Sequence, residues 1–190
     1  MPEPATAIYP EAVNATVVYY SLTGNIRALA EAAAEGAAKA GAEVRVLSVE
    51  EATNEDLVWA DVVLFGTPTR YGTMAAQLKE FIDGTGPLWK AGRLAGRVYG
   101  AFVSSISAHG GQESTLLSFL TVFSHWGGII VPPGFTDPIQ FASGNPYGTS
   151  HVSGKGSRPG DVELNAARYQ ARRMVEVAAA LKAGGAGPAS

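Results

Sequence analysis

The hydrophobic positions of this chain form short runs that alternate with segments of helical repeat. Five runs are rich in β-branched or aromatic residues and have the length of buried strands: residues 16–20, 43–47, 61–66, 97–103 and 129–131. Four segments repeat apolar residues every three or four positions and predict helices: residues 26–40, 74–83, 113–126 and 163–182. Strands that alternate with helices predict an α/β fold with a parallel sheet covered on both faces. Among topologies with right-handed crossovers, the doubly wound strand order 2-1-3-4-5 fits best.

The chain length of 190 residues predicts one domain. We expect it to span residues 16–182, after a flexible Pro- and Ala-rich arm at residues 1–15. Residues 183–190 have the composition of a disordered tail. Residues 133–162 are rich in Gly, Pro, Ser and Asn without periodicity, which predicts a long ordered excursion from the sheet.

Composition excludes several classes of protein. The net charge is −3, which offers no basic surface for nucleic acid or for a membrane. There is no Cys, so disulfides, Cys-ligated zinc, thiol catalysis and iron–sulfur clusters are excluded, and we predict no metal site. No apolar run approaches the ~18 residues of a membrane span, and the first residues lack the pattern of a signal peptide. We therefore expect a soluble cytoplasmic protein.

The predicted topology points to three loops. In such a sheet the ligand lies outside the carboxyl ends of the strands, at the switch between strands 1 and 3. The loops that follow strands 1, 3 and 4 at that edge comprise residues 21–26, 67–72 and 104–111. All three are rich in Gly and hydroxyl residues, and their convergence is more specific than any one of them.

The first loop has the composition of a phosphate site. Ser21 and Thr23 have hydroxyls that can donate to phosphate oxygens, and Gly24 permits close approach of the backbone. The following helix N-terminus adds N–H groups and a positive dipole end. The loop has neither the Lys of a Walker A motif nor a G-x-G-x-x-G fingerprint. Two interpretations stay open: the loop binds the terminal phosphate of a mononucleotide, or Ser21 or Thr23 only caps the helix.

The second and third loops suit a flat heterocycle. In the second, Pro68 stiffens the turn, Gly72 permits a positive φ, and Tyr71 can lie against the plane of a ring. In the third, small residues leave room for a ligand, and His109 can donate a hydrogen bond or carry a proton near neutral pH. The alternatives are an ordinary surface loop and a solvent-exposed His, respectively.

Three motifs carry these loops: Val18-Tyr19-Tyr20-Ser21-x-Thr23-Gly24-Asn25-Ile26, Phe65-Gly66-Thr67-Pro68-Thr69-Arg70-Tyr71-Gly72, and Gly110-Gly111-Gln112-Glu113-Ser114-Thr115. Shorter ones are Gly86-x-Leu88-Trp89, Pro146-Tyr147-Gly148 and Ala167-Arg168-Tyr169-Gln170. Together they resemble the WrbA family of flavoproteins. The resemblance covers about residues 15–182, and its most specific segment is Thr-Pro-Thr-Arg-aromatic-Gly.

The resemblance implies a flavodoxin-like fold that binds FMN. It also implies NAD(P)H:quinone oxidoreductase activity, a two-electron ping-pong reduction of quinones to hydroquinones with NAD(P)H as co-substrate. It implies a homotetramer with active sites where protomers meet. The residues it assigns to the phosphate are Ser21, Leu22, Thr23, Gly24, Asn25 and Ile26. Those it assigns to the isoalloxazine ring and ribityl chain are Pro68, Thr69, Arg70, Tyr71, Ser105, Ile106, Ser107, Ala108, His109, Gly110 and Gly111.

Some site residues are less directly assigned. Trp89 is expected to line the cavity that admits nicotinamide or quinone, and His109 and Tyr71 are candidate catalytic proton donors. The family loop after strand 4 usually reads Thr-Gly-Thr-Gly-Gly-Gly, whose first part is replaced here by residues 106–109. A His-His-Gly segment is replaced by His125-Trp126-Gly127, which makes Trp126 the expected cofactor-facing residue. Thr23 stands at an aromatic position and is expected to open the pocket toward substrate.

Three other functions are compatible with this fold class. One is a flavin-dependent azoreductase or nitroreductase. The second is an electron-carrier flavodoxin with FMN but no substrate cavity, although such carriers are commonly far more acidic than −3. The third is a transcription accessory protein, for which the sequence offers no supporting feature.

Overall fold

A parallel sheet with helices on both faces forms the protein. The computed structural model describes residues 12–186. Its strands are β1 (Val13–Tyr19), β2 (Ala42–Ser48), β3 (Val62–Arg70), β4 (Thr73–Met74), β5 (Val98–Ser105), β6 (Ile129–Ile130) and β7 (Thr149–Val152). Its helices are α1 (Asn25–Lys39), α2 (Asn54–Trp59), α3 (Ala76–Asp83), α4 (Gly86–Lys90), α5 (Gln112–His125), α6 (Pro138–Ser143) and α7 (Asp161–Ala183).

The strand order is β2-β1-β3-β5-β6, with parallel pairing throughout. This confirms the predicted order 2-1-3-4-5 for the five predicted strands. Two further strands were missed. β4 is a two-residue strand antiparallel to the end of β3, and β7 pairs with the carboxyl half of β5. Neither has an apolar run that a periodicity rule would detect, since β4 is too short and β7 reads Thr-Ser-His-Val.

The last sheet position is shared by β6 and β7. β6 pairs with the first two residues of β5, whereas β7 pairs with its last four. The chain leaves the sheet between them and forms α6 before it returns. The predicted excursion at residues 133–162 therefore contains a helix and a strand, and its return strand extends the sheet toward the carboxyl edge where the three loops lie.

Helices on the two faces bury different cores. On one face, α1 packs against α7 through small side chains, and Gly36 is required because a Cβ there would lie 2.1 Å from the Arg168 carbonyl oxygen. On the other face, Phe65 of β3 stacks on Phe119 and Phe123 of α5. β3 and β5 are buried on both sides over most of their length, as expected for central parallel strands.

Several predicted boundaries were wrong in ways that matter for the site. β3 continues through Arg70 and β5 through Ser105, so parts of two predicted loops are strand. Trp89 lies in the short helix α4, which is not among the four predicted helices. β1 begins at Val13, which shortens the expected arm; residues 1–11 and, at the expected tail, residues 187–190 lie outside the described part of the chain. No helix between residues 12 and 186 is both long and apolar enough to cross a membrane.

Candidate functional site

The first loop presents free backbone donors at the start of α1. Gly24 has a φ of 87° and precedes the helix directly. Ser21 Oγ accepts hydrogen bonds from the backbone N–H groups of Gly24 (3.1 Å) and Arg27 (3.2 Å), so Ser21 does stabilise the first turn. Among the described residues, the backbone N–H groups of Leu22, Thr23, Asn25 and Ile26 have no acceptor. Free backbone N–H groups around a glycine at a helix N-terminus are a common arrangement for binding anions.

The second loop is a tight hairpin, which the sequence did not predict. Arg70 pairs with Thr73, leaving Tyr71 and Gly72 as a two-residue turn with φ of 52° and 80°. Two successive positive φ values fit a type I′ turn, in which a bulky residue at the first position is unfavourable. The Tyr71 side chain is fully exposed, with a relative accessibility of 108%. A strained residue that holds an aromatic ring in solvent is typical of a ligand-contacting position.

Side-chain hydroxyls join the second loop to the third loop and to the start of α5. Thr69 Oγ1 donates to the Gly110 carbonyl oxygen at 2.9 Å, and Ser114 Oγ donates to the Gly72 carbonyl oxygen at 2.8 Å. Gly111 has a φ of 83° and opens α5 as Gly24 opens α1. Within the described part of the chain, the N–H groups of Ala108 and His109 have no acceptor. The predicted convergence of the second and third loops is therefore present.

Exposed apolar side chains mark each of the three loops. Leu22 is 68% exposed in the first, Tyr71 is fully exposed in the second, and Ile106 is 74% exposed in the third. In the described part of the chain most large apolar residues are buried or partly buried, so three exposed ones at one sheet edge are informative. Together with the free N–H groups, they suit a ligand that has both an apolar ring and an anionic group.

A fourth loop, which sequence reasoning missed, connects the third loop to the first. We call residues 153–160 the bridging loop. At one end, the N–H groups of Ser153 and Gly154 donate to the carbonyl oxygens of Ser105 (2.8 Å) and Ile106 (2.9 Å). At the other, Arg158 Nη1 donates to the Thr23 carbonyl oxygen and to Asn25 Oδ1. The available signal was three glycines and an Arg-Pro pair just before a helix.

A buried polar network supports the third and bridging loops from below. Ser104 Oγ lies 2.9 Å from His151 Nδ1, and Gln112 Nε2 donates to Ser105 Oγ (2.8 Å) and to the His151 carbonyl oxygen (3.1 Å). His151 is 3% exposed, and its Nε2 has no hydrogen-bond partner among the described residues. Burial lowers the pKa of His151, although Glu163 and the nearby backbone of Arg158 oppose that shift. The buried His151 of β7 therefore joins β5 and the start of α5 beneath the third loop.

Two expected site residues lie elsewhere in the chain. Trp126 is 7% exposed and contacts the rings of Phe65 and Tyr99 in the core. Trp89 is 54% exposed, and its Nε1 donates to the His125 carbonyl oxygen at 2.8 Å. Gly111 and the loops lie at the N-terminus of α5, whose 14 residues span about 20 Å. Trp126 and the contact of Trp89 with His125 lie at the C-terminus of that helix. The structure does not bring either Trp to the three loops of the same chain.

Comparison with known protein families places this geometry among flavoproteins. The profile of the NADPH-dependent FMN reductase family matches residues 51–141. A relative from Deinococcus radiodurans named NAD(P)H dehydrogenase (quinone) is 38% identical, over 89% of this chain and 97% of its own length. A relative of the same name from Sinorhizobium fredii is 42% identical, over 87% of this chain and 96% of its own length.

Solved structures with the same architecture include flavodoxins. A flavodoxin, WrbA-like protein from Agrobacterium tumefaciens superimposes with a TM-score of 0.67 at 26% identity, covering 88% of this chain and 98% of that one. A flavodoxin from the domain Archaea superimposes with a TM-score of 0.66 at 22% identity, covering 87% and 98%. The second likeness concerns the fold alone.

Proposed function

The chain belongs to the WrbA-type NAD(P)H dehydrogenase (quinone) family, and we propose that it is an FMN-dependent enzyme that transfers two electrons from NAD(P)H to quinones. The observation that carries this proposal is the convergence of three loops at one sheet edge. They combine free backbone donors with exposed apolar side chains. When bound, FMN supplies the hydride chemistry, and the protein supplies binding, orientation and the exclusion of competing reactions.

The first loop fits the phosphate of FMN. A phosphate needs several donors at short range, and the four free N–H groups around Gly24 meet that requirement at the positive end of α1. The Ser21 hydroxyl accepts two backbone hydrogen bonds and keeps its own hydrogen for donation. In this proposal the phosphate-binding residues are the six expected from sequence, Ser21, Leu22, Thr23, Gly24, Asn25 and Ile26.

The second and third loops fit the ring and the ribityl chain. Tyr71 presents an aromatic face, and a flat ligand there gains about 1 kcal/mol beyond the area it buries. The free N–H groups of Ala108 and His109 lie at the same sheet edge, and such donors suit the polar atoms of a heterocycle. In this proposal the ring and ribityl contacts come from Pro68, Thr69, Arg70, Tyr71, Ser105, Ile106, Ser107, Ala108, His109, Gly110 and Gly111.

Proton donors at the site are His109 and Tyr71. Both side chains are exposed on loops that reach the proposed ring, whereas the buried His151 lies beneath the third loop. Quinone reduction takes up protons, so a donor beside the substrate is useful even though the flavin carries the electrons. We assign His109 and Tyr71 to this role.

A second protomer completes the substrate cavity in this proposal. Trp89 is exposed on α4, remote from the loops of its own chain, and exposed aromatic residues are favoured at protein contacts. We propose a homotetramer in which Trp89 of one protomer faces the flavin of another and Thr23 borders the opening. We further propose that the protein is cytoplasmic and that the expected residues 16–182, together with residues 13–15 where β1 begins, form one FMN-binding domain.

Two measurements test the proposed function. The purified protein should show flavin absorbance bands, and it should oxidise NADH or NADPH only when a quinone such as benzoquinone is present. Flavin bands without quinone-dependent turnover would indicate an electron-carrier flavodoxin. Turnover confined to azo or nitro compounds would indicate an azoreductase or nitroreductase. Absence of flavin after reconstitution would contradict both the cofactor and the activity.

A further inference from the structure

The phosphate loop receives its positive charge from a distant part of the chain. Arg27, at the third position of α1, has a guanidinium group that binds Glu31 at 2.8 Å along the helix surface. Its charge is therefore balanced within α1. Arg158 of the bridging loop is the cationic side chain whose hydrogen bonds reach residues 21–26. Without Arg158, the described loop would offer only neutral donors to a dianion.

The Arg158 guanidinium lies directly on Gly24. A Cβ built on Gly24 would be 2.6 Å from Arg158 Nη1 and 3.6 Å from Nη2. The guanidinium thus occupies the space that any side chain at position 24 would take. Gly24 is needed for this contact as well as for its φ of 87°. The charge is held against the turn that carries the free N–H groups.

The contacts of the Arg158 guanidinium with the first loop use only one of its three nitrogens. Nη1 serves the Thr23 carbonyl oxygen and Asn25 Oδ1, the latter at 3.3 Å. Among the described residues, Nε and Nη2 have no acceptor. A guanidinium carries five N–H donors in a rigid fork, and its Nε and Nη2 edge matches two oxygens of a phosphate. Arg158 is therefore anchored by one nitrogen while its other edge is available.

The bridging loop places Arg158 by contacts at both ends. Ser153 and Gly154 bind the third loop through the backbone, and Pro159 is buried just before α7. The Gly160 N–H then donates to Glu163 Oε2 at 2.9 Å, which fixes the start of α7 and engages that carboxylate. These contacts hold the bridging loop to the sheet and to α7 on either side of Arg158. Because the backbone around Arg158 is already ordered, binding a ligand costs less conformational entropy than it would for an Arg on a free loop.

We propose that Arg158 binds the phosphate of FMN and makes the site select FMN over flavins that lack a phosphate. This inference rests on the proposed FMN site. A charge-assisted hydrogen bond to a phosphate is about twice as strong as a neutral one. Because riboflavin has no phosphate, we expect Arg158 to contribute a large part of the difference in affinity between FMN and riboflavin. Arg158 acts in binding and takes no part in proton or electron transfer.

Titration of the apoprotein with two flavins tests this role. FMN and riboflavin share the isoalloxazine ring and differ in the phosphate, so the ratio of their dissociation constants isolates the phosphate contribution. We expect Arg158→Gln to weaken FMN binding about tenfold or more and to change riboflavin binding less than about twofold. The matched control is Lys155→Gln, which removes the same charge from the same loop at an exposed position and should leave both constants nearly unchanged.

Further outcomes separate this proposal from the proposed function. Equal weakening of FMN and riboflavin by Arg158→Gln, or none for either, would overturn the role of Arg158. Wild-type protein that binds neither flavin would overturn the FMN site as well. If the Arg158→Gln apoprotein does not fold, judged by circular dichroism, Arg158→Lys decides. It retains the charge but loses the fork, and it should lower the FMN-to-riboflavin selectivity without affecting riboflavin.

Discussion

Gly72 and Gly111 bring the second and third loops into backbone contact: a Cβ on Gly111 would lie 2.5 Å from the Cα of Gly72. Both residues have positive φ, 80° and 83° respectively. Real Cβ atoms do not approach a backbone atom so closely, so this contact requires glycine for space as well as for conformation. The contact joins the hairpin that presents Tyr71 to the N-terminus of α5.

Gly111→Ala should separate the two loops. We expect it to lower the free energy of unfolding by about 2–4 kcal/mol and to weaken FMN binding, because backbone strain and a backbone clash add. Gly41→Ala is the matched control: Gly41 also has a positive φ, 91°, but nothing lies within 4 Å of the added Cβ. It should cost only the strain, about 1–2 kcal/mol, and leave FMN affinity unchanged. Thermal unfolding and FMN titration measure both effects.

Thr23→Glu should abolish FMN binding and leave the fold intact. Thr23 is exposed in the first loop, so the new side chain needs no space in the core. A carboxylate about 4 Å from the phosphate is repelled by about 4 kcal/mol at an effective dielectric near 20, about a thousandfold in affinity. Thr23→Gln has the same shape without the charge and should bind FMN nearly as well. Unchanged affinity in Thr23→Glu would mean that the phosphate lies elsewhere.

His109→Gln tests whether the His109 side chain supplies a proton during turnover or only a hydrogen bond. If His109 acts as a neutral donor, turnover should change little between about pH 6.5 and 8 in both proteins. If His109 supplies a proton, as we propose, the wild type should show a pH dependence of turnover that the variant lacks. Steady-state turnover against pH measures this. A pH limb that persists in His109→Gln rules out His109 as its source.

Trp89→Ala should raise the apparent KM for quinone and for NAD(P)H together, by about tenfold, since both are expected to stack on one surface. FMN affinity should change much less, because its contacts come from the loops. Trp89→Phe retains a ring and should be close to wild type. Steady-state kinetics beside an FMN titration measures these effects. Loss of FMN with unaltered substrate constants in the remaining holoenzyme would place Trp89 in the cofactor site and contradict a shared cavity.

The buried His151 should make stability depend on pH. Its pKa is lowered by burial, so the unfolded chain binds the proton more readily. The stability contributed by the neutral ring is therefore complete above the unfolded pKa of about 6.5 and is lost as the pH falls toward the lower folded value. His151→Gln should reduce this loss, whereas His125→Gln, at an exposed position, should retain it. Urea unfolding at a series of pH values tests this; identical pH dependence in wild type and His151→Gln would contradict it.

The sheet order was predictable because each central strand carries its own signal. β3 and β5 read as continuous apolar runs, and α1 repeats small apolar residues on one face. Such patterns depend only on neighbours along the chain, and right-handed crossovers then leave few arrangements. The first and third loops were located for the same reason, since Gly24 and Gly111 each stand between a strand and a helix.

The features that the sequence did not predict are contacts between residues distant along the chain. The type I′ hairpin at Tyr71 forms against the end of β3. β7 pairs with β5 through residues such as Ser104 and His151, which are 47 positions apart. Arg158 reaches Thr23 across 135 residues. No local periodicity encodes such contacts, because they depend on where the excursion after β6 returns and on how α7 packs against α1. Local patterns were enough for the sheet, its carboxyl edge and two loops of the site. Packing of distant elements brought Arg158 to the first loop and placed Trp89 against the end of α5 that is far from the loops.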